Sequence, residues 1–463
     1  MKYDLAIIGG GINGAGIARD AALRGLKVIL LEKDDFGIGA SSKSSKLAHG
    51  GIRYLEQWDF KLVKSCLKER DLLFNNLPLL VTPLPFIFPV YHKSPRPLWM
   101  IKLGLYIYDF LAREGKMPKH SNLSADDILK KCPGLAAEGL KGGCLYFDGL
   151  LEDALIVMEN VLDAEKNGAT VLNYHEVTRL KRENGRVTGV YFKSNHGEEQ
   201  VDADLVINAT GAWSRDFFKS EQLTSGYTVS PTKGIHLIIP QVIKEYALTL
   251  TAHDDRVFFL IPWHGYSLLG TTDTFYDGDP NKAAVEKTDV DYLLKAFSLY
   301  FPQLHPEIIS SFAGLRPLVN YHTGNPSDLR RDHLIDESVP GLISFLGGKY
   351  TSFRETAAEV VDRCFASLKR VCPESPTLHR PITSDKQKNL SEIIANDPRE
   401  GQRICDHHPH LLAEVTYAIE YEKAKTLDDW LYRRTSIGYT ECGGKRCSSL
   451  VADKFKRVQH NLE

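Results

Sequence analysis

The sequence predicts an α/β fold with a discontinuous parallel-sheet domain, an antiparallel-sheet domain and a helical C-terminal domain. Three observations lead to this prediction: a strand–glycine turn–helix–strand unit at the N-terminus, short central strands separated by turns, and a polar helical segment near the C-terminus. The chain has 463 residues, 43% hydrophobic and 25% charged, which suits two or three domains of ordinary globular composition. An intrinsically disordered or fibrous protein is therefore excluded.

Charge, apolar runs and cysteine content exclude further classes. The 57 Lys and Arg against 59 Asp and Glu give a formal net charge of −2, so we expect no nucleic-acid partner and only a local anion site. The nearest approach to a membrane span, residues 97–112, is interrupted by Lys102 and Asp109 and is shorter than the roughly 18 apolar residues required. Eight cysteines and no secretory leader after Met1 predict a reduced, cytoplasmic setting.

The N-terminal unit predicts a dinucleotide site. Its parts are an apolar strand at residues 5–8, the glycines Gly9, Gly11 and Gly14 of a G-x-G-x-x-G motif, a helix at 15–24, a strand at 28–31 and the acid Glu32. The glycines allow the backbone to approach a pyrophosphate at the helix N-terminus, and Glu32 is placed to accept hydrogen bonds from ribose hydroxyls. The motif does not choose between FAD and NAD, although its position at the extreme N-terminus favours FAD.

A loop dense in Ser, Lys and Gly follows, at residues 40–56 (ASSKSSKLAHGGIRYLE). It offers hydroxyls and amides to a dinucleotide and ends in Arg53 and Tyr54, which indicates a shaped site rather than a tether. With the N-terminal motif and the segments 97–100 (PLWM) and 104–106 (GLY), this loop resembles the FAD-dependent, respiratory glycerol-3-phosphate dehydrogenases. Their larger superfamily includes D-amino-acid oxidase and glycine oxidase.

The rest of the chain contributes alternately to two folds. A helix at 152–164 leads into a strand at 170–172, another apolar strand at 204–208 precedes Gly211, and strands at 236–239, 257–262 and 266–270 indicate an antiparallel sheet. Together with the resemblance, this pattern implies a Rossmann-type FAD-binding domain (residues 1–74, 146–228 and 340–370), a substrate-binding cap domain (75–145 and 229–339) and a helical C-terminal domain (383–463).

The turn Gly347-Gly348-Lys349 separates a strand at 341–346 from a helix expected at 350–364. A nucleotide P-loop is excluded, because Ile343 stands where its first glycine is needed and Tyr350 replaces the required Ser or Thr. The glycines before a helix N-terminus suit an anion or a developing negative charge. In the family that the chain resembles, the corresponding helix faces the N1–C2=O edge of the flavin.

The resemblance also implies the site residues. Around glycerol 3-phosphate it places Arg53, Tyr54, Arg316, Arg331 and Lys349, which offer cations to a phosphate monoester. For Arg331, beside Arg330, a solvated surface charge is a competing interpretation. Around FAD it places Gly9, Gly11, Gly14, Glu32, Ser41, Ser42, Ser45, Lys46, Leu47, Gly51, Val177, Gly211, Thr271, Gly348 and Lys349.

The implied reaction oxidises sn-glycerol 3-phosphate to dihydroxyacetone phosphate by moving a hydride from C2 to flavin N5, while the hydroxyl proton goes to a base. His236 is the first candidate base, because its ordinary pKa lies near neutrality. Lys349 is the alternative, and Arg316 is cast as the group that stabilises the forming alkoxide. His236, Arg316 and Lys349 are therefore the candidate catalytic residues.

The C-terminal segment contains Cys405, His407, Cys442 and Cys447. Their spacing resembles the [2Fe-2S] domain of the anaerobic form of the same dehydrogenase, except that His407 stands where that domain has a cysteine. Three thiolates and an imidazole suit zinc or an iron–sulfur cluster. Because one ligand departs from the pattern, a decayed site with free cysteines is preferred.

Electrons must leave the reduced flavin, and the resemblance implies a membrane quinone as their acceptor. Contact with the membrane would then be peripheral, on the cytoplasmic face of the inner membrane, and the segment 93–102 (KSPRPLWMIK) is one candidate surface. Two alternatives stay open: an oxidase that uses O₂ and releases peroxide, and a non-catalytic FAD-binding module. A homodimer is also left open.

Overall fold

The computed structural model describes residues 2–112, 115, 117–224, 227–320 and 333–462. The predicted fold class is confirmed, since these residues form two large sheets with helices against them and a helical C-terminal region. The strands are β1 Lys2–Ile8, β2 Val28–Leu31, β3 Leu47–Ala48, β4 Val81–Tyr91, β5 Ser121–Leu123, β6 Leu140–Leu151, β7 Thr170–Leu172, β8 Val177–Glu183, β9 Arg186–Ser194, β10 Gly197–Asn208, β11 Thr228–Pro240, β12 Ala247–Thr251, β13 Val257–Trp263, β14 Tyr266–Gly270, β15 Thr274–Phe275, β16 Ser310–Asn320, β17 His333–Asp336 and β18 Leu342–Gly347. The helices are α1 Ile12–Leu23, α2 Phe60–Asn76, α3 Leu98–Leu111, α4 Ala125–Lys131, α5 Asp153–Lys166, α6 Ser214–Ser220, α7 Lys287–Ser298, α8 Phe353–Ser367, α9 Lys386–Asn396, α10 Leu412–Glu420, α11 Leu427–Asp429 and α12 Ser448–Leu462.

The first sheet has the order β17-β18-β10-β1-β2-β7, with the hairpin of β8 and β9 attached to β10. Its four central pairings are parallel, which agrees with the continuous apolar runs of β1 and β2. One core joins this sheet to helices α1, α5 and α8, through side chains such as Ile17, Val157 and Val361. The sheet therefore presents the carboxyl ends of its parallel strands at one edge, where ligands bind in α/β folds.

The second sheet has the order β15-β11-β14-β13-β12-β4-β6-β3, with β16 on β11 and β5 on β6. Helices α2 and α3 cover one face of this sheet, and helices α4 and α7 cover the other. Two short strands belong to a different sheet from the one that the predicted domain bounds assign to them. Leu47–Ala48 pairs with β6 of the second sheet, and His333–Asp336 pairs with β18 of the first.

The C-terminal region packs helices α9 to α12 around its own apolar core. The indole of Trp430 is completely buried there, among Val415, Ile419 and Val451. Helix α11 continues directly into a π-helical turn at Trp430–Arg434. This turn brings Arg433 and Arg434 into contact with Asp35, which follows β2 of the first sheet.

Candidate active site

The glycine turn between β1 and α1 is shaped for close approach to a ligand. Gly9 has a φ of 103°, and a Cβ at Gly14 would overlap the carbonyl oxygen of Gly9, so neither position accepts another residue without strain. The carboxylate of Glu32 accepts hydrogen bonds from the backbone N–H groups of Gly10 (2.6 Å) and Asp34 (3.0 Å). Burial raises the pKa of Glu32, while the two N–H donors oppose that shift.

A cavity of about 560 Å³, here called the main cavity, runs from this turn to the face of the second sheet. Residues of the predicted site that line it are Gly9, Gly11, Glu32, Ser41, Ser45, Leu47, Tyr54, Val177, Gly211, His236, Arg316, Gly348 and Lys349. They come from segments that are far apart in sequence, at the carboxyl ends of strands of the first sheet and on β11 and β16 of the second. The fold therefore gathers most of the predicted residues at one elongated space.

The imidazole of His236 lies on β11 and lines this cavity. Its Nε2 is 2.9 Å from the hydroxyl of Ser45, and its ring stacks on Phe312 with centroids 5.0 Å apart. Gly270 makes this packing feasible, because a Cβ there would overlap the imidazole. Burial, and then the charges of Arg316 and Lys46, lower the pKa of His236 well below its ordinary value, so the ring is neutral near pH 7. Its buried Nδ1 has no hydrogen-bond partner among the described residues.

Arg316 on β16 is fixed by the cap sheet itself. Its Nη1 donates to the carboxylate of Asp273 (3.1 Å) and the carbonyl of Thr272 (3.2 Å), and its Nη2 donates to the hydroxyl of Thr271 (2.9 Å). The Arg316 side chain is about a quarter exposed and lines the cavity. An arginine that is held by these hydrogen bonds presents a positive charge in a defined position.

Lys349 lines the same cavity from the turn after β18. Its ammonium lies 3.9 Å from the centroid of the Tyr54 ring, a cation–π contact. The buried Nζ has no hydrogen-bond acceptor in the described part of the chain. Helix α8 begins at Phe353 rather than at residue 350 as expected, so Lys349 lies on the loop ahead of the helix. A buried ammonium without a hydrogen-bond acceptor is costly.

Several predicted residues lie elsewhere. The ammonium of Lys46 donates to Asp153 (2.6 Å) and to the carbonyl of Ser42 (2.8 Å), and neither Lys46 nor Ser42 lines the main cavity. Gly14 packs against the glycine turn, and Gly51 and Thr271 line an adjacent cavity. The side chain of Arg53 and the whole of Arg331 lie outside the described residues.

Residues that the sequence reasoning missed also line the main cavity, among them Asn13, His49 and Trp213. Asn13 is a variable position of the glycine motif, and its buried Oδ1 has no donor among the residues described. His49 lies in the Ser-, Lys- and Gly-rich loop at 40–56, and its backbone N–H donates to the hydroxyl of Thr351 (3.3 Å). The two glycines that follow His49 were the sequence signal for it, but the prediction selected Arg53 because a cation suits a phosphate.

A second, apolar cavity of about 400 Å³ adjoins the first and shares Ser45, Leu47, His49 and Arg316 with it. Around it lie exposed apolar side chains from the turn before α2, the start of α2 and α3: Trp58, Phe60, Trp99, Met100 and Leu103. Trp58 is 78% exposed and Trp99 67% exposed, and Tyr106 and Phe110 continue the exposed stripe along α3. Within the described ranges, no helix is both long and apolar enough to cross a membrane.

The predicted metal ligands are only partly brought together. His408, rather than His407, lies against Cys442, with its Nε2 3.1 Å from the sulfur. Among the residues that the structure describes, no group of three or more His, Cys, Asp or Glu side chains is placed to hold a metal ion. The eight cysteines are all free thiols.

The main cavity fits a dinucleotide with a reactive end. Its glycine turn leaves no room for a Cβ, and the buried atoms Asn13 Oδ1, His236 Nδ1 and Lys349 Nζ, which have no hydrogen-bond partner among the described residues, belong to residues that line it. Buried polar atoms without partners are rare in proteins and here coincide with a ligand-sized space. Fold and site together define a dinucleotide-binding protein of the α/β class.

Comparison with known proteins specifies the family. Residues 4–354 match the family described as FAD dependent oxidoreductase, and residues 385–458 match the C-terminal domain of alpha-glycerophosphate oxidase. The chain therefore belongs to the FAD-dependent oxidoreductases, which confirms the predicted resemblance, and FAD is the dinucleotide expected in the main cavity.

Three relatives illustrate this membership. The chain is 34% identical over 490 residues to glycerol-3-phosphate dehydrogenase of Synechocystis sp., covering 94% of this chain and 89% of that protein. It is 36% identical over 477 residues to D-erythritol 1-phosphate dehydrogenase of Brucella abortus, covering 93% and 94%. The X-ray structure of glycerol-3-phosphate dehydrogenase from Bacillus halodurans complexed with FAD matches with a TM-score of 0.77 at 27% identity, covering 100% of this chain and 94% of that one.

Proposed function

We propose that this protein oxidises sn-glycerol 3-phosphate to dihydroxyacetone phosphate with FAD and passes the electrons to a membrane quinone. The names of its relatives support the substrate class, and the cations that line the main cavity suit a phosphate monoester. The observation that carries the proposal is that His236, Arg316 and Lys349 line one cavity, where one nitrogen of His236 and the ammonium of Lys349 have no hydrogen-bond partner among the described residues.

The roles of the three side chains follow from their surroundings. When bound, FAD would supply the two-electron oxidation as the acceptor of the hydride from C2 of the substrate. Neutral His236 takes the hydroxyl proton at Nδ1, with its Nε2–H donating to Ser45 Oγ, a tautomer that the 2.9 Å contact permits. Arg316 stabilises negative charge on the reacting oxygen, and its hydrogen bonds to Asp273 and Thr271 keep it in place.

Lys349 has two candidate roles. As an ammonium over the Tyr54 ring it binds the substrate's anionic group, which supplies the missing acceptor for its Nζ. As a base it would replace His236 in removing the proton, which requires the neutral amine. The first role uses the charge that lysine ordinarily carries, so it is the one we assign.

The acceptor part of the proposal rests on the apolar cavity beside the main one. A quinone has a flat apolar head, and this cavity is lined by side chains such as Phe86, Phe259 and Ile107 while sharing His49 and Arg316 with the main cavity. The exposed stripe formed by Trp99, Leu103, Tyr106 and Phe110 on α3, with Trp58 beside it, would place its mouth on a lipid surface.

Anaerobic addition of glycerol 3-phosphate to the FAD-loaded protein tests the first step. We expect the oxidised-flavin absorbance to bleach, and an unchanged spectrum would contradict the proposal and leave the non-catalytic FAD-binding module. Comparing kcat/KM for glycerol 3-phosphate with that for D-erythritol 1-phosphate decides between the substrates named by the two relatives. Peroxide formed per turnover, with and without a soluble quinone, separates the quinone-linked dehydrogenase from the oxidase.

A further inference from the structure

The loop after β2 covers the glycine turn of the FAD site. Its first residue, Glu32, accepts a hydrogen bond from the N–H of Gly10, and Gly37 N–H donates to the carbonyl of Gly10 (3.0 Å). Between them the ring of Phe36 packs where a Cβ at Gly10 would lie. The position of this loop, residues 32–37, therefore determines the shape of the wall against which the dinucleotide binds.

Asp35 is the buried anchor of this loop, with a completely inaccessible side chain. Arg434 binds its carboxylate with a fork of two hydrogen bonds, from Nη1 to Oδ2 (2.8 Å) and from Nη2 to Oδ1 (2.8 Å). Arg433 adds a bond from Nε to Oδ2 (2.5 Å). Burial would raise the pKa of Asp35, but the charges of Arg434 and Arg433 outweigh it and hold the pKa below its ordinary value.

Both arginines are held from the C-terminal side as well. Arg434 Nη2 also donates to the carbonyl of Glu422 (2.7 Å), and Arg433 Nη2 donates to Asp429 (2.5 Å). Asp429 in turn accepts a bond from the hydroxyl of Tyr174 (2.7 Å), which follows β7 of the first sheet. Both arginines are thus held by the C-terminal region as well as by Asp35, which lies 399 positions before Arg434 in the chain.

We propose that Arg433 and Arg434 are positioning residues of the FAD site, which act by locking the loop 32–37 through Asp35. The C-terminal region is then part of the cofactor-binding apparatus, although among its described residues none lines the main cavity. A buried carboxylate that loses its cations is strongly unfavourable, so the loop would have to move toward water and carry Glu32 and Phe36 with it. This inference rests on FAD as the cofactor and not on the proposed substrate or acceptor.

The test is the affinity for FAD of the full-length protein, measured by titrating FAD into the deflavinated chain and following flavin fluorescence. For Asp35→Asn we expect the dissociation constant to rise by roughly tenfold or more. The matched control is Glu400→Gln, which removes a buried carboxylate that pairs with Lys454 and accepts from Thr416 inside the C-terminal region. That variant should bind FAD as the unaltered protein does.

A second readout distinguishes positioning from general stability. Saturating FAD should raise the Tm of Asp35→Asn by much less than it raises the Tm of Glu400→Gln. If Asp35→Asn lowers the Tm of both the FAD-free and FAD-saturated protein equally, or leaves FAD affinity unchanged, the proposal is overturned. Should Asp35→Asn not fold, Arg434→Lys takes its place: it keeps the charge and loses the fork, and an unchanged FAD affinity in that variant also overturns the proposal.

Discussion

His236 Nε2 and Ser45 Oγ lie 2.9 Å apart and tie β11 of the second sheet to the loop that follows β2 of the first. This bond occupies one ring nitrogen and leaves Nδ1 as the nitrogen without a partner in the described structure. Because core imidazoles normally have both nitrogens satisfied, this geometry supports the proposal that His236 acts as a base.

Replacing His236 by Asn should therefore lower kcat by roughly 10²–10⁴-fold while FAD remains bound, since a general base typically contributes that much. The measurement is steady-state turnover at saturating glycerol 3-phosphate with an artificial electron acceptor. His253→Asn is the control, because that imidazole packs beside Tyr292 and does not line the main cavity. Near-normal turnover in His236→Asn would contradict the assignment of His236 as the base and leave Lys349 in that role.

The pH dependence of kcat/KM gives an independent check. Burial, Arg316 and Lys46 all disfavour the imidazolium, so the pKa of His236 lies below the ordinary value of about 6.5. Protonation inactivates a base, and activity should therefore stay level as the pH falls to about 6.5 and decline only below it. An acidic limb centred clearly above pH 7 would point to a group with a higher pKa, as a lysine base requires.

Lys349→Met should raise KM for the phosphorylated substrate by roughly tenfold or more, because a hydrogen bond to a charged group contributes about 1.5–3 kcal/mol. Lys388→Met is the matched control, since that lysine is exposed, does not line the main cavity and should change KM little. The check is a substrate titration for both variants. Equal KM values in Lys349→Met and the unaltered protein would remove Lys349 from the substrate site.

Gly14→Ala should abolish FAD binding and destabilise the fold by about 1–3 kcal/mol, because its methyl group would overlap the carbonyl oxygen of Gly9. Gly104→Ala serves as the comparison, since a Cβ there meets nothing within 4 Å and an alanine favours the helix by about 0.5–1 kcal/mol. Flavin absorbance per protein and the Tm report both effects. An FAD-loaded Gly14→Ala protein would contradict the shape assigned to the turn.

The double variant Trp99→Ala/Leu103→Ala should reduce sedimentation with anionic liposomes severalfold, because both side chains are more than half exposed on one face of α3. Turnover with a soluble acceptor should be retained. Leu79→Ala/Val371→Ala removes two exposed apolar side chains from elsewhere and should not affect sedimentation. If both double variants bind liposomes as the unaltered protein does, α3 is not the membrane-contacting surface.

Local patterns in the sequence predicted much of the fold. The strands at 28–31, 170–172 and 266–270 have the bounds that the sequence predicts, because apolar runs flanked by glycine and charged residues specify buried strands. The short strands Leu47–Ala48 and His333–Asp336 were not predicted, since two to four residues carry no periodicity and their pairing depends on distant partners. The start of α8 also differed, because two glycines and Lys349 extend the turn further than the local signal indicates.

The sequence by itself determined the dinucleotide motif and the family, because these depend on residue types at short, fixed spacings. Only the tertiary structure decided which side chains meet. In the folded chain Lys46 pairs with Asp153 instead of lining the main cavity, and Arg434 pairs with Asp35, 399 positions away in the sequence. A buried ion pair forms where packing excludes water, and that environment is created by the whole fold rather than by neighbours in the chain.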